Sequence, residues 1–271
     1  MRFLRHPASA AVTAAPHPTA ADPVRTPKTV VTDAVQRVHP TVRKGTAIVS
    51  IALATGTLFV LLSGVIARHG APVQAFDDNL HAWVIAHRGG LDTSIAGVIT
   101  IGGATAVTLP TLVVVGALAS PARGPRARGR RIGAGVLLAG YASVGVWVGL
   151  ALNSWIGRVR PPFADWAGVA GGPAFPSGHT TAATLFALSC AWASSSRIRP
   201  GWPRVALWTT AGAYAFAVGW TRMWLGVHWP TDVVGGWLYA VTWSGLVWAL
   251  ATRMRRHRPG PAPSAVGSHD E

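Results

Sequence analysis

The stretch FPSGHTTAA, Phe175 to Ala183, sets a proline, a serine, a glycine and a histidine at the threshold of an apolar run. Pro176 can end a loop and Ser177 can cap the helix that follows. The same residues can instead build a helix start that holds an anion, where unpaired N–H groups and the positive dipole end meet a histidine able to move a proton. Four residues alone leave both readings open.

The surroundings favour a membrane setting. Half of the 271 residues are hydrophobic and only 12% are charged. Uncharged runs extend over 45–67, 93–122, 132–157, 166–196, 205–221 and 233–252. Each approaches or exceeds the ~20 residues that an α-helix needs to cross the hydrocarbon core. The expected fold is therefore all-α and polytopic, with six transmembrane helices near 46–66, 98–119, 132–152, 178–195, 205–221 and 231–252.

The net charge of +15 is segregated along the chain, with 19 of the 24 Lys and Arg before the first span, in PARGPRARGRR, in SSRIRPGWPR or in TRMRRHR. Arg68, Arg88, Arg158, Arg160 and Arg222 make up the remainder. The positive-inside rule places both termini and the basic loops in the cytoplasm, and the 67–97, 153–177 and 222–230 connections outside. The basic loops read as topology signals that also meet anionic headgroups, with no nucleic-acid partner. The expected domain order is a disordered cytoplasmic tail over 1–44, a six-helix membrane domain over 45–252 and a second such tail over 253–271. Cys190 is the only cysteine and falls inside the fourth span, which excludes an intrachain disulfide.

Three polar stretches converge on the outer face: NSWIGRVRPP (Asn153–Pro162), PSGH, and TRMWLGVHWPTD (Thr221–Asp232). Arg160 and Arg222 offer planar, permanently charged forks for phosphate oxygens. Gly178 lets a ligand approach the backbone, and Ser177 marks the helix start. Pro230 suits the first position of the last helix and makes Asp232 the third. From there the carboxylate reaches back to His228, accepts the Nδ1 proton and frees Nε2 to attack phosphorus. His179 then serves as general acid and base. These groups suffice for phosphoester hydrolysis through a phosphohistidine, with no metal and no cofactor.

The order RP, then PSGH, then (S/T)R-x5-H-x3-D resembles the type 2 phosphatidic acid phosphatase superfamily. The resemblance implies a six-helix membrane core at whose extracytoplasmic helix ends a lipid phosphate or diphosphate is hydrolysed, with undecaprenyl diphosphate, phosphatidate and phosphatidylglycerol phosphate as substrate types. It also implies site roles for Arg160, Ser177, Gly178, His179, Arg222, His228 and Asp232. One position departs from the family pattern: Asn153 stands where the family has a lysine. Along an extended RVRP segment Arg158 points to the same side as Arg160 and is expected to supply part of the missing charge.

VQAFDDNLHAWVIAHRGGLD, beginning at Val73, reads as an amphipathic interfacial helix with His81, His87 and Arg88 solvated and outside the site. Trp83, Trp155, Trp166, Trp224 and Trp229 read as belt residues. Other readings of the same charges are a phosphotransferase of this fold, a degenerate lipid-binding member, a transporter, or a metal site on His179, His228 and Asp232. The bilayer and a lipid phosphate are the expected partners; oligomeric state is not written in the sequence.

Overall fold

In the computed structural model, backbone is described for residues 27–256 and side chains for 45–254. The tails expected at the two ends lie mostly outside the described residues. Eight α-helices follow in order: α1 (Pro27–Ala67), α2 (Ala71–His87), α3 (Gly90–Thr100), α4 (Thr105–Ala119), α5 (Ala127–Ile156), α6 (Gly178–Ser195), α7 (Trp202–Trp224) and α8 (Pro230–Arg256). No strand occurs among the described residues.

Among the described residues, three helices are long and apolar enough to cross a membrane: Gly45–Ala67, Ala127–Ile156 and Pro230–Met254. Gly90–Gly103 and Thr105–Ala119 add a fourth if the pair, bent by 52°, is one broken span. The expected straight span over 98–119 is thus corrected. Its uncharged run hides a break at Gly102-Gly103, where Tyr214 on α7 donates its hydroxyl to Gly102 O at 2.5 Å. A Cβ on Gly103 would meet Val218 Cγ1 at 2.7 Å and His179 O at 3.0 Å, so this turn packs directly on α6 and α7.

Helix α6 occupies the centre, packed against α4, α5, α7 and α8. That position accommodates its threonines: Thr180, Thr181 and Thr184 are buried against protein rather than lipid, and Thr184 Oγ1 donates back to Thr180 O. One apolar cluster joins Leu112, Ala142, Val146, Ala182, Leu185 and Ala240 from four helices. Helices α4 and α5 approach so closely that a Cβ on Gly135 would lie 2.1 Å from Val113 O.

Helix α2 departs from expectation on its polar side. Asp77 and His81 face inward and are buried, while Phe76 and Trp83 are exposed. Part of the polar residue set expected in solvent is thus turned onto protein, while Gln74, Asp78, Asn79 and His87 stay exposed.

Candidate active site

The stretch FPSGHTTAA is fixed first by Phe175. Its ring is fully buried, stacks on Phe59 of α1 with centroids 5.7 Å apart, and fills space that a Cβ on Gly235 of α8 would take. Ser177 N donates to Asp232 O at 3.0 Å, tying the start of α6 to the start of α8. The first backbone bond of α6 runs from Thr181 N to Ser177 O, so the preceding N–H groups have no intrahelical acceptor. Ser177 makes no side-chain cap, and its buried Oγ accepts instead from Thr180 Oγ1 at 3.0 Å.

The C-terminal end of α5, the start of α6, the end of α7 and the start of α8 meet here around a cavity of about 150 Å³. Its walls include Asn153, Arg160, Gly178, His179, Arg222 and His228. Six of the nine residues assigned from sequence therefore share one space. Ser177 and Asp232 lie fully buried behind it, and Arg158 also lies outside the lining.

His228 is oriented as its spacing from Asp232 predicted. Nδ1 faces Asp232 Oδ2 at 3.3 Å, and Trp229 N donates to the same oxygen at 2.8 Å. The proton therefore sits on Nδ1, and Nε2 accepts from Arg160 Nη1 at 2.9 Å. Burial pushes the His228 pKa down to about 4 against the pull of Asp232, so the ring is neutral at pH 7. Gly226 supplies the positive φ of 70° in the turn that delivers His228 from α7, and a Cβ there would strike Asp165 O at 2.3 Å.

Arg160 donates through Nε to Gly172 O, through Nη1 to Val227 O and His228, and through Nη2 to Gly171 O and Pro173 O. Arg222 is buried on the opposite wall. Its Nη1 donates to Thr100 Oγ1 at 2.8 Å, its Nη2 to Val169 O at 3.3 Å, and its Nε has no partner. Neither arginine makes an ion pair among the described residues. The His179 ring lines the same cavity without a side-chain hydrogen bond there. A Cβ on Gly178 would meet only Leu150 Cδ2, at 3.8 Å. Packing thus leaves free space at that position, where Gly178 and Leu150 both line the cavity.

Two sequence assignments change. Arg158 was expected beside Arg160 on the anion, but its fork is occupied: Nη1 donates to Asp232 Oδ1 at 2.6 Å and Thr231 Oγ1 at 2.7 Å, and Nη2 to Asp77 Oδ2 at 2.5 Å. Two buried carboxylates hold it outside the cavity lining. Asn153 lines the cavity, yet its Nδ2 donates to Pro173 O at 3.0 Å and Pro176 O at 3.2 Å, so its donors secure the turn leading into α6.

Sequence reasoning missed Asp77, Thr100 and the inward role of α2. His81 Nε2 lies 3.0 Å from Asp165 Oδ2, and Arg88 Nη1 donates to Asp165 O, so both of these residues hold the outer loop instead of being solvated. Trp229, expected in an interfacial belt, is buried and donates its Nε1–H to Val159 O at 2.9 Å. Only for Thr100 did a nearby signal exist, in the Gly102-Gly103 break.

Comparison with known proteins points to one family. Residues 133–256, which carry RP, PSGH and TR-x5-H-x3-D, match the PAP2 superfamily. The chain is 28% identical over 202 residues to phosphatidylglycerophosphatase B of Bacillus subtilis (strain 168), covering 74% of this chain and 94% of that protein. It is 36% identical over 128 residues to decaprenylphosphoryl-5-phosphoribose phosphatase of Mycolicibacterium smegmatis, covering 46% of this chain and 60% of the relative. Among solved structures, the crystal structure of a transmembrane PAP2-type phosphatidylglycerolphosphate phosphatase from Bacillus subtilis superposes with a TM-score of 0.65 at 26% identity, covering 76% of this chain and 98% of the other. The helices of this chain thus have a counterpart in a transmembrane protein.

Proposed function

We propose that this chain is an integral-membrane phosphatase that hydrolyses a lipid phosphate or diphosphate through a phosphohistidine on His228. One observation carries the reading: Arg160 and Arg222, neither neutralised by a carboxylate, line one small cavity together with a neutral, oriented histidine whose Nε2 meets only the Arg160 guanidinium. Cations held this way call for an anion. The named relatives are phosphatases, and the one matched over most of its length is a phosphatidylglycerophosphatase, which supports a phosphoryl group on a glycerolipid.

The chemistry follows from the geometry. His228 Nε2 exchanges its bond to Arg160 for one to phosphorus while Arg160, Arg222 and the first N–H groups of α6 take the phosphoryl oxygens. The bond from phosphorus to the lipid oxygen breaks, and His179 gives that oxygen its proton. Water then attacks phosphorus, His179 takes the water proton, and the P–N bond breaks to release inorganic phosphate. The substrate's negative charge favours the protonated His179 that the first step requires. Asp232 stabilises the histidine and offers no oxygen to a metal, since Oδ1 holds Arg158 and Oδ2 holds Trp229 N and His228.

Six crossings are the reading that best fits these helices, with α3 and α4 as one broken span and α6 shielded by its neighbours. The 19 basic residues then fall on the cytoplasmic side and the cavity opens outside. The test is phosphate release by purified protein in detergent from phosphatidylglycerol phosphate, phosphatidate and undecaprenyl diphosphate, with His228→Ala alongside. Release from at least one lipid, abolished in the variant, is the expected result. Equal rates for the two proteins would overturn the reading.

A further inference from the structure

The contacts of Arg158 commit three of its five N–H donors to buried partners outside the cavity lining. They do not by themselves say what holds it there. The partner is Asp77, a fully buried carboxylate on α2, outside the segment that matches the PAP2 family and absent from every motif read in the sequence. Its Oδ1 accepts from Thr231 N at 2.9 Å; its Oδ2 accepts from Thr231 Oγ1 and from Arg158 Nη2, both at 2.5 Å.

We infer that Asp77 is a positioning residue for the reaction, acting through Arg158 and Asp232 on His228. The inference rests on the reading of His228 as nucleophile. Three features support it. The contacts form an unbroken chain, from Asp77 to Arg158, from Arg158 to Asp232 Oδ1, and from Asp232 Oδ2 to His228 Nδ1. Each oxygen of Asp232 is thereby assigned, so its carboxylate cannot rotate without breaking an ion pair in which both partners are nearly or fully buried. Asp77 also serves the first turn of α8 as a capping acceptor supplied from another helix, which fixes the backbone that carries Asp232.

The charge balance is the third feature. A lone Arg158 beside Asp232 would cancel the negative charge that steadies His228 as it becomes cationic. With Asp77 present, two carboxylates share one guanidinium, and a net charge of −1 stays next to the imidazole. Replacing Asp77 by a neutral isostere removes that excess and leaves Arg158 wholly on Asp232.

The experiment compares Asp77→Asn, Arg158→Lys, Asp232→Asn, Asp77→Asn/Asp232→Asn and His228→Ala on dioctanoyl phosphatidate in detergent micelles, with vanadate affinity measured on each. Asp78→Asn, the exposed neighbour on α2, controls for charge loss and is expected to keep the wild-type rate. For Asp77→Asn, kcat should fall ~10- to 100-fold, less than the ~10²–10⁴ for Asp232→Asn, with KM and vanadate affinity within about threefold of wild type. The double variant should lose no more than Asp232→Asn alone. Loss of the nearby negative charge makes protonation of His228 harder, so the acid limb of kcat/KM should move to lower pH. A merely structural role would instead lower vanadate affinity together with rate and leave the limb in place. If Asp77→Asn fails to fold, Arg158→Lys carries the test, since it should show the same fall in kcat with vanadate affinity retained. Wild-type kcat in Asp77→Asn, or additive losses in the double variant, would overturn the inference while His228→Ala remained inactive. Turnover in His228→Ala would overturn the reading beneath it as well.

Discussion

Arg158 and Arg160 stand two residues apart in RVRP and end in opposite circumstances. The Arg158 guanidinium lies between Asp77 and Asp232 and is neutralised twice over. Arg160 gives its five N–H bonds to four backbone carbonyls and one imidazole, all neutral. Burial lowers the Arg160 pKa, with Asp232 opposing, yet an arginine keeps its proton at neutral pH. What matters in a cationic site is which charge has been left without a counter-ion, and only Arg160 and Arg222 meet that condition around the cavity.

The largest expected effect tests this contrast directly. Arg160→Ala should lower kcat/KM on a lipid phosphate by ~10²–10³-fold and abolish vanadate binding, because it removes an unneutralised donor from the phosphoryl oxygens. Arg158→Ala should lower kcat but leave vanadate affinity near wild type. Equal loss of vanadate affinity in both variants would erase the distinction.

The contrast also shows what the sequence could and could not convey. PSGH and H-x3-D are local: a helix start and a four-residue spacing determine how His179, His228 and Asp232 are presented, and those placements follow from the chain itself. The partner of Arg158 is 81 residues away and on a helix whose polar residues looked solvated. In a water-soluble protein, Phe76 and Trp83 would face inward; α2 reads instead as an amphipathic interfacial helix, with its polar residues solvated. Beside an apolar surround the preference inverts, and Asp77 and His81 take the protein side. The break between α3 and α4 was hidden for a related reason, since an uncharged run reports apolarity and not direction. Asn153 was legible as a departure from the family, but its use as a clamp on Pro173 and Pro176 depends on how a loop folds back over 20 and 23 residues.

A smaller effect sharpens the electrostatic side. An imidazole in the unfolded chain titrates near 6.5, whereas native His228 is pushed down to about 4. As pH falls from about 6.5 toward 4, the unfolded chain binds a proton that the native site refuses. Native stability should therefore be flat above about 6.5 for this group and decline below it. His228→Asn should flatten that decline in thermal unfolding midpoints measured between about pH 7 and 4.5. An unchanged slope would mean that another group carries it.

The smallest effect concerns the space in front of α6. Gly178→Ala introduces a methyl with no protein neighbour nearer than 3.8 Å, so the unfolding midpoint should barely move. Vanadate affinity should drop several-fold if that space belongs to the bound anion. Unchanged affinity would place the anion elsewhere in the cavity.

The central claim is that His228 Nε2 attacks phosphorus, and chemical quench reaches it most directly. Protein mixed with radiolabelled lipid phosphate and denatured in alkali within the first turnover should carry label that is stable to base, labile to acid and located on His228. Arg158→Ala should form the same adduct more slowly, and His228→Ala should form none. Label on another residue, or steady turnover in protein that never acquires the histidine adduct, would contradict the account.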